Sequence, residues 1–252
     1  MKKFSKILVI VVIIFALVLM FYSIYNLHDE YRQKVEAESQ KDFKPDFIQP
    51  EDEDENTNNA GNKKLPLMDF SGLMAQNSDV AAWISIENTG IDYPILQASD
   101  NDYYLRRTIE LKYNNSGSIF MDYRSNADFK DFLSIIYGHH SYKGIMFTEL
   151  DNFKDKSYFD SHSIGYLYTP NATYCLEIVA HAITESMSDF YKYSFASQSE
   201  KQAYLDMVEE NATYLKKDQI FSINDHFVLL STCSQQYDTA RTVILARLIL
   251  MS

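Results

Sequence analysis

Near the C-terminus a thiol and a guanidinium stand at a spacing that suits acyl transfer. The run Phe227-Val-Leu-Leu-Ser-Thr-Cys233 carries a cysteine at the end of an apolar segment, and Arg241 opens a second β-branched run, Arg241-Thr-Val-Ile-Leu-Ala-Arg247-Leu248. Short apolar runs of this kind read as buried strands, so the thiol is delivered to the rim of a fold. A thiolate can attack a carbonyl carbon. An unaided cysteine has a pKa of about 8.5, so the reaction also needs a proton acceptor and a group to hold the oxyanion. Arg241 offers a permanent forked charge for the second task. For the first, Leu133-Ser-Ile-Ile-Tyr-Gly-His139 repeats the design of an apolar strand that ends on a polar group.

Each of these residues also has a plainer reading. Cys233 can be a small core residue, or can pair with Cys175 inside Tyr174-Cys-Leu-Glu-Ile178. His139 is followed by His140, and neighbours on an extended chain point to opposite sides, so only one can face the thiol. Arg241 can be half of a structural ion pair. Arg247, six residues along the same strand face, is the other arginine in reach. His28, His162, His181 and His226 sit in no ligand spacing typical of zinc, and the carboxylates form no calcium loop, so neither metal nor cofactor is expected.

Positioning such groups requires a core. In this 252-residue chain 46% of side chains are hydrophobic and 14% aromatic, enough for one domain once the first sixty or so residues are set aside. The net charge of -12 argues against nucleic acid as a partner, and much of it is local to residues 29 to 55.

Ile7 to Tyr25 is apolar apart from Ser23. Nineteen helical residues span about 28 Å, close to the thickness of a hydrocarbon core. Lys2, Lys3 and Lys6 precede the segment, which places the N-terminus in the cytoplasm and the rest outside. Phe21-Tyr-Ser-Ile-Tyr25 supplies no small-x-small cleavage site, so the segment reads as an uncleaved anchor. Three parts follow: residues 1–26 as cytoplasmic N-terminus and single transmembrane anchor, 27–66 as an acidic stem and linker, and 67–252 as the folded domain. Within the linker, Tyr31 to Lys41 can form a short helical stem. Pro45, Pro50, the Glu51–Glu55 acidic run and Asn56 to Asn62 have almost nothing to bury.

In the folded part, Met68 to Gln76 suggests a short helix, and Asn77-Ser-Asp79 a cap before Val80-Ala-Ala-Trp83. Strand-like runs cover 83–87, 91–97, 117–123, 132–137, 164–169, 173–184, 226–232 and 242–250. Eight short strands with little helix between most of them predict a closed or nearly closed β-barrel. Helical insertions are expected at Met146 to Phe153 and, at greater length, at Ser197 to Lys217, where Tyr204, Leu205, Val208 and Leu215 share a helical face.

Together, Leu230-Ser-Thr-Cys233 with Arg241 eight residues on, Tyr137-Gly-His139 upstream, Asp92-Tyr-Pro-Ile95 and Gly117-Ser-Ile-Phe-Met-Asp122 resemble a class B sortase from about Asp79 to the C-terminus. Leu229, where the family usually has Thr, and the short spacing from Cys233 to Arg241 are departures. The resemblance implies an eight-stranded sortase-type barrel, mainly β, with N-terminal helices and a long helix before the cysteine strand that walls the substrate groove. It selects Cys233 as nucleophile, His139 as acid and base, and Arg241 as oxyanion holder. It also matches Asn101, Leu105 and Ser231 to substrate-binding positions.

The implied activity is that of a cysteine transpeptidase without cofactor. It cleaves a C-terminal sorting signal resembling Asn-Pro-x-Thr-Asn on secreted proteins, forms a thioacyl intermediate and passes the acyl group to a peptidoglycan amine outside the membrane. The alternatives are a pilin-polymerising sortase, a thiol peptidase that uses water as acceptor, and a noncatalytic surface-binding module with Cys175 and Cys233 joined.

Overall fold

The computed structural model describes residues 2–48, 66–141, 144–216, 221–233 and 239–251, with residues 2–5 and 233 given by backbone alone. Helix α1 spans Lys2–Glu38 and passes into a 3₁₀ turn at Ser39–Phe43. A short helix α2, Ser71–Gln76, leads into strands β1 (Val80–Ile86), β2 (Asp92–Leu96), β3 (Ile119–Met121) and β4 (Leu133–Tyr137). After a 3₁₀ helix at Thr148–Lys154 and helix α3 (Lys156–Ser161) come β5 (Ile164–Tyr168), β6 (Thr173–Glu185), helix α4 (Gln198–Asn211), β7 (Tyr214–Leu215), β8 (His226–Cys233) and β9 (Ala240–Leu250).

The sheet order is β5-β1-β2-β3-β4-β8-β9-β6-β7, and β5 pairs with β6 to close the ring. Eight strands therefore form the barrel, and the two-residue β7 hangs on the outer edge of β6. The expected eight-stranded barrel with a long helix before the cysteine strand is what the chain forms. Two pairings are parallel, β2 with β3 and β4 with β8; the rest are antiparallel.

The apolar runs of β4, β8 and β9 are continuous because both faces of these strands are covered. Val228, Leu230, Ile244 and Ala246 fill the barrel interior. Phe227, Leu229, Val243 and Leu245 pack instead beneath α4, against Tyr204, Leu205 and Val208. Strands buried on both sides lose the alternation that marks a half-exposed sheet. Helix α4 is fixed at its start by Ser197, whose Oγ accepts the Glu200 N–H at 3.3 Å. It stops at Asn211, short of the expected Lys217.

Two boundaries differ from expectation. Asn77 closes the C-terminal end of α2, with its N–H donating to Leu73 O at 3.0 Å, and does not cap a new helix. Val80 onward is strand. The stem also begins earlier and is better ordered than a spacer, since α1 runs unbroken from the apolar segment to Glu38. Gln33, Ala37 and Gln40, on one helical face, are buried against the barrel. Gln40 Nε2 donates to Gly117 O at 3.0 Å, and its Oε1 accepts from Ser118 Oγ at 2.6 Å and from Ile109 N at 3.1 Å. Phe47 then bridges to Met68, so the chain is packed on the domain through Ile48. The acidic run lies outside the described residues.

Gly117 is required where it stands. Its φ is +56°, and a Cβ would lie 2.4 Å from Tyr104 O.

One buried group ties stability to pH. His181 on β6 is fully buried, its ring lies 5.6 Å from that of Tyr214, and neither ring nitrogen has a partner among the described residues. Burial, helped by the charge of Lys154, lowers its pKa to about 4. An unfolded histidine titrates near 6.5, so the neutral ring favours the fold above that pH. The contribution is lost progressively as pH falls from about 6.5 towards 4, by up to about 3 kcal/mol. Urea unfolding at pH 7.5 and pH 5 is expected to show a lower midpoint at pH 5, with the drop reduced in His181→Phe; an unchanged drop in that variant would exclude His181 as its source.

Candidate active site

The parallel pairing of β4 and β8 sets Tyr137 level with Ser231. The two chains thus leave the sheet side by side, one through Gly138 to His139 and the other through Thr232 to Cys233. Gly138 N donates to Ser231 O at 3.1 Å and extends the ladder one step beyond the strand. On the other edge of β8 the antiparallel ladder places Cys233 opposite Arg241. Strand register thus brings the end of the β4 segment, about a hundred residues upstream, beside the chain that carries Cys233 and Arg241.

Glycine is needed between Tyr137 and His139 because a Cβ at 138 would come within 2.6 Å of the Phe147 ring. Phe147 N in turn donates to His139 O at 3.2 Å and closes the loop that presents the imidazole. His139 is half-buried. Its Nε2 lies 2.7 Å from Leu105 O, and a carbonyl can only accept, so Nε2 carries a proton and Nδ1 is left to change protonation state. Burial lowers the His139 pKa, the Leu105 carbonyl opposes that shift, and the charge of Arg106 adds to it.

His139, Arg241, Asn101, Leu105, Ser231 and Thr232 line one cleft of about 470 Å³. Arg241 Nη1 donates to Ala240 O at 2.9 Å, and no carboxylate among the described residues pairs with it. Arg247 is the structural arginine of the pair: its Nε donates to Glu177 Oε2 at 3.0 Å. His140 is no surface residue; its Nε2 sits 3.1 Å from Asp151, and its side chain is 11% exposed.

Cys175 is a half-buried free thiol whose pKa is raised, mainly by burial. It lies about nine residues along β6 from Thr184, the partner of Arg241. At the rise of an extended strand that is roughly 30 Å, whereas a disulfide needs Cα atoms within about 7 Å. The pairing of Cys175 with Cys233, and with it the noncatalytic module it would staple, is ruled out by the register.

The substrate-binding candidates prove to be wall-builders as well. Asn101 Nδ2 donates to Asp122 Oδ2 at 3.0 Å, and its Oδ1 accepts the Tyr123 N–H at 3.0 Å. Ser231 Oγ is 2.7 Å from Tyr191 OH and only 2% of the residue is exposed. Leu105 contributes its carbonyl to His139.

Sequence reasoning gives no role to three residues of this region. Tyr191 stacks on Tyr137, with centroids 6.3 Å apart and planes at 12°. Ser186 lines the cleft beside them. Asp122, fully buried, accepts from Asn101, from Tyr137 OH at 3.0 Å and from Arg124 Nη2 at 2.7 Å. Burial pushes its pKa up, but the bonds from Arg124, Asn101 and Tyr137 outweigh that and hold it below its ordinary value. The Gly117–Asp122 motif had signalled this aspartate without indicating what it holds.

This architecture is shared with proteins of known class. The sortase domain profile matches residues 84–249. Sortase B of Listeria monocytogenes is 35% identical over 197 residues, covering 77% of this chain and 78% of that protein. Among solved structures, sortase B from Bacillus anthracis in complex with AAEK1 superposes with a TM-score of 0.71 at 29% identity, covering 90% of this chain and 99% of that one. A Staphylococcus aureus sortase B–substrate complex gives 0.68 at 29% identity, over 73% of this chain and 85% of the other. With the closed eight-stranded barrel, these matches establish that the chain belongs to the sortase family, as a cysteine transpeptidase of class B.

Proposed function

We propose that Cys233, His139 and Arg241 are the reacting groups of this transpeptidase and that its substrate is a C-terminal sorting signal resembling Asn-Pro-x-Thr-Asn. The observation that carries the assignment is the double register of β8, level with Tyr137 on one side and with Arg241 on the other. In the first half-reaction the Cys233 thiolate forms a bond to the carbonyl carbon of Thr, in the Thr–Asn peptide bond. The C–N bond then breaks and the departing amine takes a proton from His139. Arg241 holds the carbonyl oxygen while it bears negative charge. In the second half-reaction an incoming amine gives up a proton to His139 and attacks the thioester, and the thiolate leaves. Asn101, Leu105 and Ser231 form the groove wall against which the signal lies.

The acceptor in this reading is an amine of the peptidoglycan precursor, so the product is a secreted protein joined to the wall. Ile7 to Tyr25 of α1 is exposed throughout, and the most apolar window of the helix has a mean hydropathy of 3.2. With Lys2, Lys3 and Lys6 on its N-terminal side, this helix is proposed to cross the membrane once and hold the domain on the extracellular face. Confinement to the surface that carries both substrates raises their effective concentration.

Quenched fluorescent peptides bearing candidate signals test the assignment. Turnover is expected to vanish in Cys233→Ala, and to fall about 100- to 1,000-fold in Arg241→Ala, the range seen when one oxyanion donor is removed. Addition of an amine should yield a new amide; release of free acid alone would favour a thiol peptidase. Equal turnover in Cys233→Ala would sink the nucleophile.

A pH titration follows from the shifts at His139. Followed by NMR in Cys233→Ala, its midpoint is expected below 6.5, because burial and Arg106 both disfavour the charged ring. Arg106→Gln removes a repelling charge, so the midpoint should move up. A midpoint that stays put or falls would contradict the assigned cause.

A further inference from the structure

Asp151 lies outside the residues that line the cleft, and the reaction leaves it unused. It sits in the 3₁₀ helix Thr148–Lys154, with a side chain 18% exposed. Thr242 Oγ1 donates to its Oδ1 at 2.6 Å, His140 Nε2 lies 3.1 Å from its Oδ2, and Lys154 Nζ is 3.0 Å from Oδ1. Thr242 is fully buried and directly follows Arg241 on β9. His140 directly follows His139. One carboxylate thus grips the immediate neighbours of both groups that flank Cys233.

The need for such a grip follows from the topology. β8 lies between β4 and β9, so the strands that carry His139 and Arg241 share no ladder. Each is registered to β8, but the chain beyond Tyr137 has left the sheet. Its local ties, Phe147 N to His139 O and Ser141 N to Thr148 Oγ1 at 2.9 Å, fold the loop on itself. Apolar packing of Ile145, Phe147 and Leu150 in the core shared with Ile244 and Ala246 seats the loop against β9, and Asp151 adds a directional polar link to that strand through the buried hydroxyl of Thr242.

We propose that Asp151 is a positioning residue for transpeptidation: through His140 and Thr242 it sets the separation between the His139 imidazole and the Arg241 guanidinium. This rests on the roles assigned to those two residues above. Misplacing a reacting group by about an ångström can lower turnover up to a hundredfold while leaving substrate binding intact. A neutral asparagine still accepts from Thr242 through its amide oxygen, so it preserves half of the grip.

The test uses the full chain with Asp151→Ala, Asp151→Asn and Thr242→Val, read by peptide turnover, melting temperature and the His139 ring resonances in a Cys233→Ala background. Asp151→Ala is expected to lower kcat at least tenfold with KM within twofold and to move the His139 resonances. Asp151→Asn should recover part of the loss. Thr242→Val, which keeps the side-chain shape, should lower kcat at least threefold even if the alanine variant proves unstable, and the Asp151→Ala/Thr242→Val pair should be no worse than Asp151→Ala alone. Variants that stay folded with kcat within twofold of the parent would overturn the proposal. So would a loss of melting temperature with unmoved His139 resonances, which marks a purely structural aspartate. If the parent chain itself shows no turnover dependent on Cys233, the assigned reaction fails, and the resonances alone then decide whether Asp151 positions His139.

Discussion

The parallel register between β4 and β8 is the constraint on which this site depends. Side chains alternate along a strand, so a slip of one residue would exchange every inward and outward group. Here neither exchange is tolerable. Val228 and Leu230 fill the barrel while Phe227 and Leu229 pack under α4, and both sets are fully buried. The register is therefore held from two sides by hydrophobic burial, at about 25 cal/mol for each Å² of apolar surface removed from water. Placement of Gly138 beside Ser231, and of His139 near the end of β8, follows from that packing. The chemistry of the rim is decided by the oil beneath it.

Two carboxylates, Asp122 fully buried and Asp151 partly so, complete what register leaves open. Asp122 collects Asn101, Tyr137 and Arg124 on the side of the groove built by β3 and β4, and Asp151 collects His140, Thr242 and Lys154 on the opposite flank. A buried charge is costly unless its oxygens are saturated by donors, and both aspartates meet that condition. Such networks contribute little net stability compared with apolar packing. What they give is a defined geometry, because every donor must be in place for the charge to be tolerated. Aromatic contact reinforces the wall on the Asp122 side, where Tyr191 stacks on Tyr137 and bonds Ser231.

Much of this was legible in the chain itself. All eight barrel strands are visible as apolar runs, and the cysteine, histidine and arginine are marked by their positions at strand ends. The less legible features are those in which distant segments decide the outcome. Val80 to Ala82 reads as the start of a helix after Asn77, and becomes strand because β2 pairs with it. Tyr214–Leu215 has no strand signal of its own and is recruited by the edge of β6. His140 looks like the solvent-facing member of a histidine pair, and is largely covered where it meets Asp151, which arrives from an insertion whose path no local pattern reveals. Asn101 and Ser231 line the cleft, but their hydrogen bonds to Asp122 and Tyr191 exist only in the folded wall.

The stem shows the same principle at a larger scale. Composition suggests a tether from residue 27 onward, yet α1 continues without a break to Glu38 and, with the 3₁₀ turn after it, buries Gln33, Ala37 and Gln40 against the barrel. From Tyr25, at the end of the apolar segment, to Gln33, the first buried contact, is eight helical residues, about 12 Å. In the proposed topology, with Ile7 to Tyr25 crossing the bilayer, that short helical span governs how high the docked domain stands above the membrane. A flexible linker would let the cleft sample many heights and orientations. A helix docked through paired glutamine hydrogen bonds restricts both, which suits the proposed reaction between substrates confined to the membrane surface.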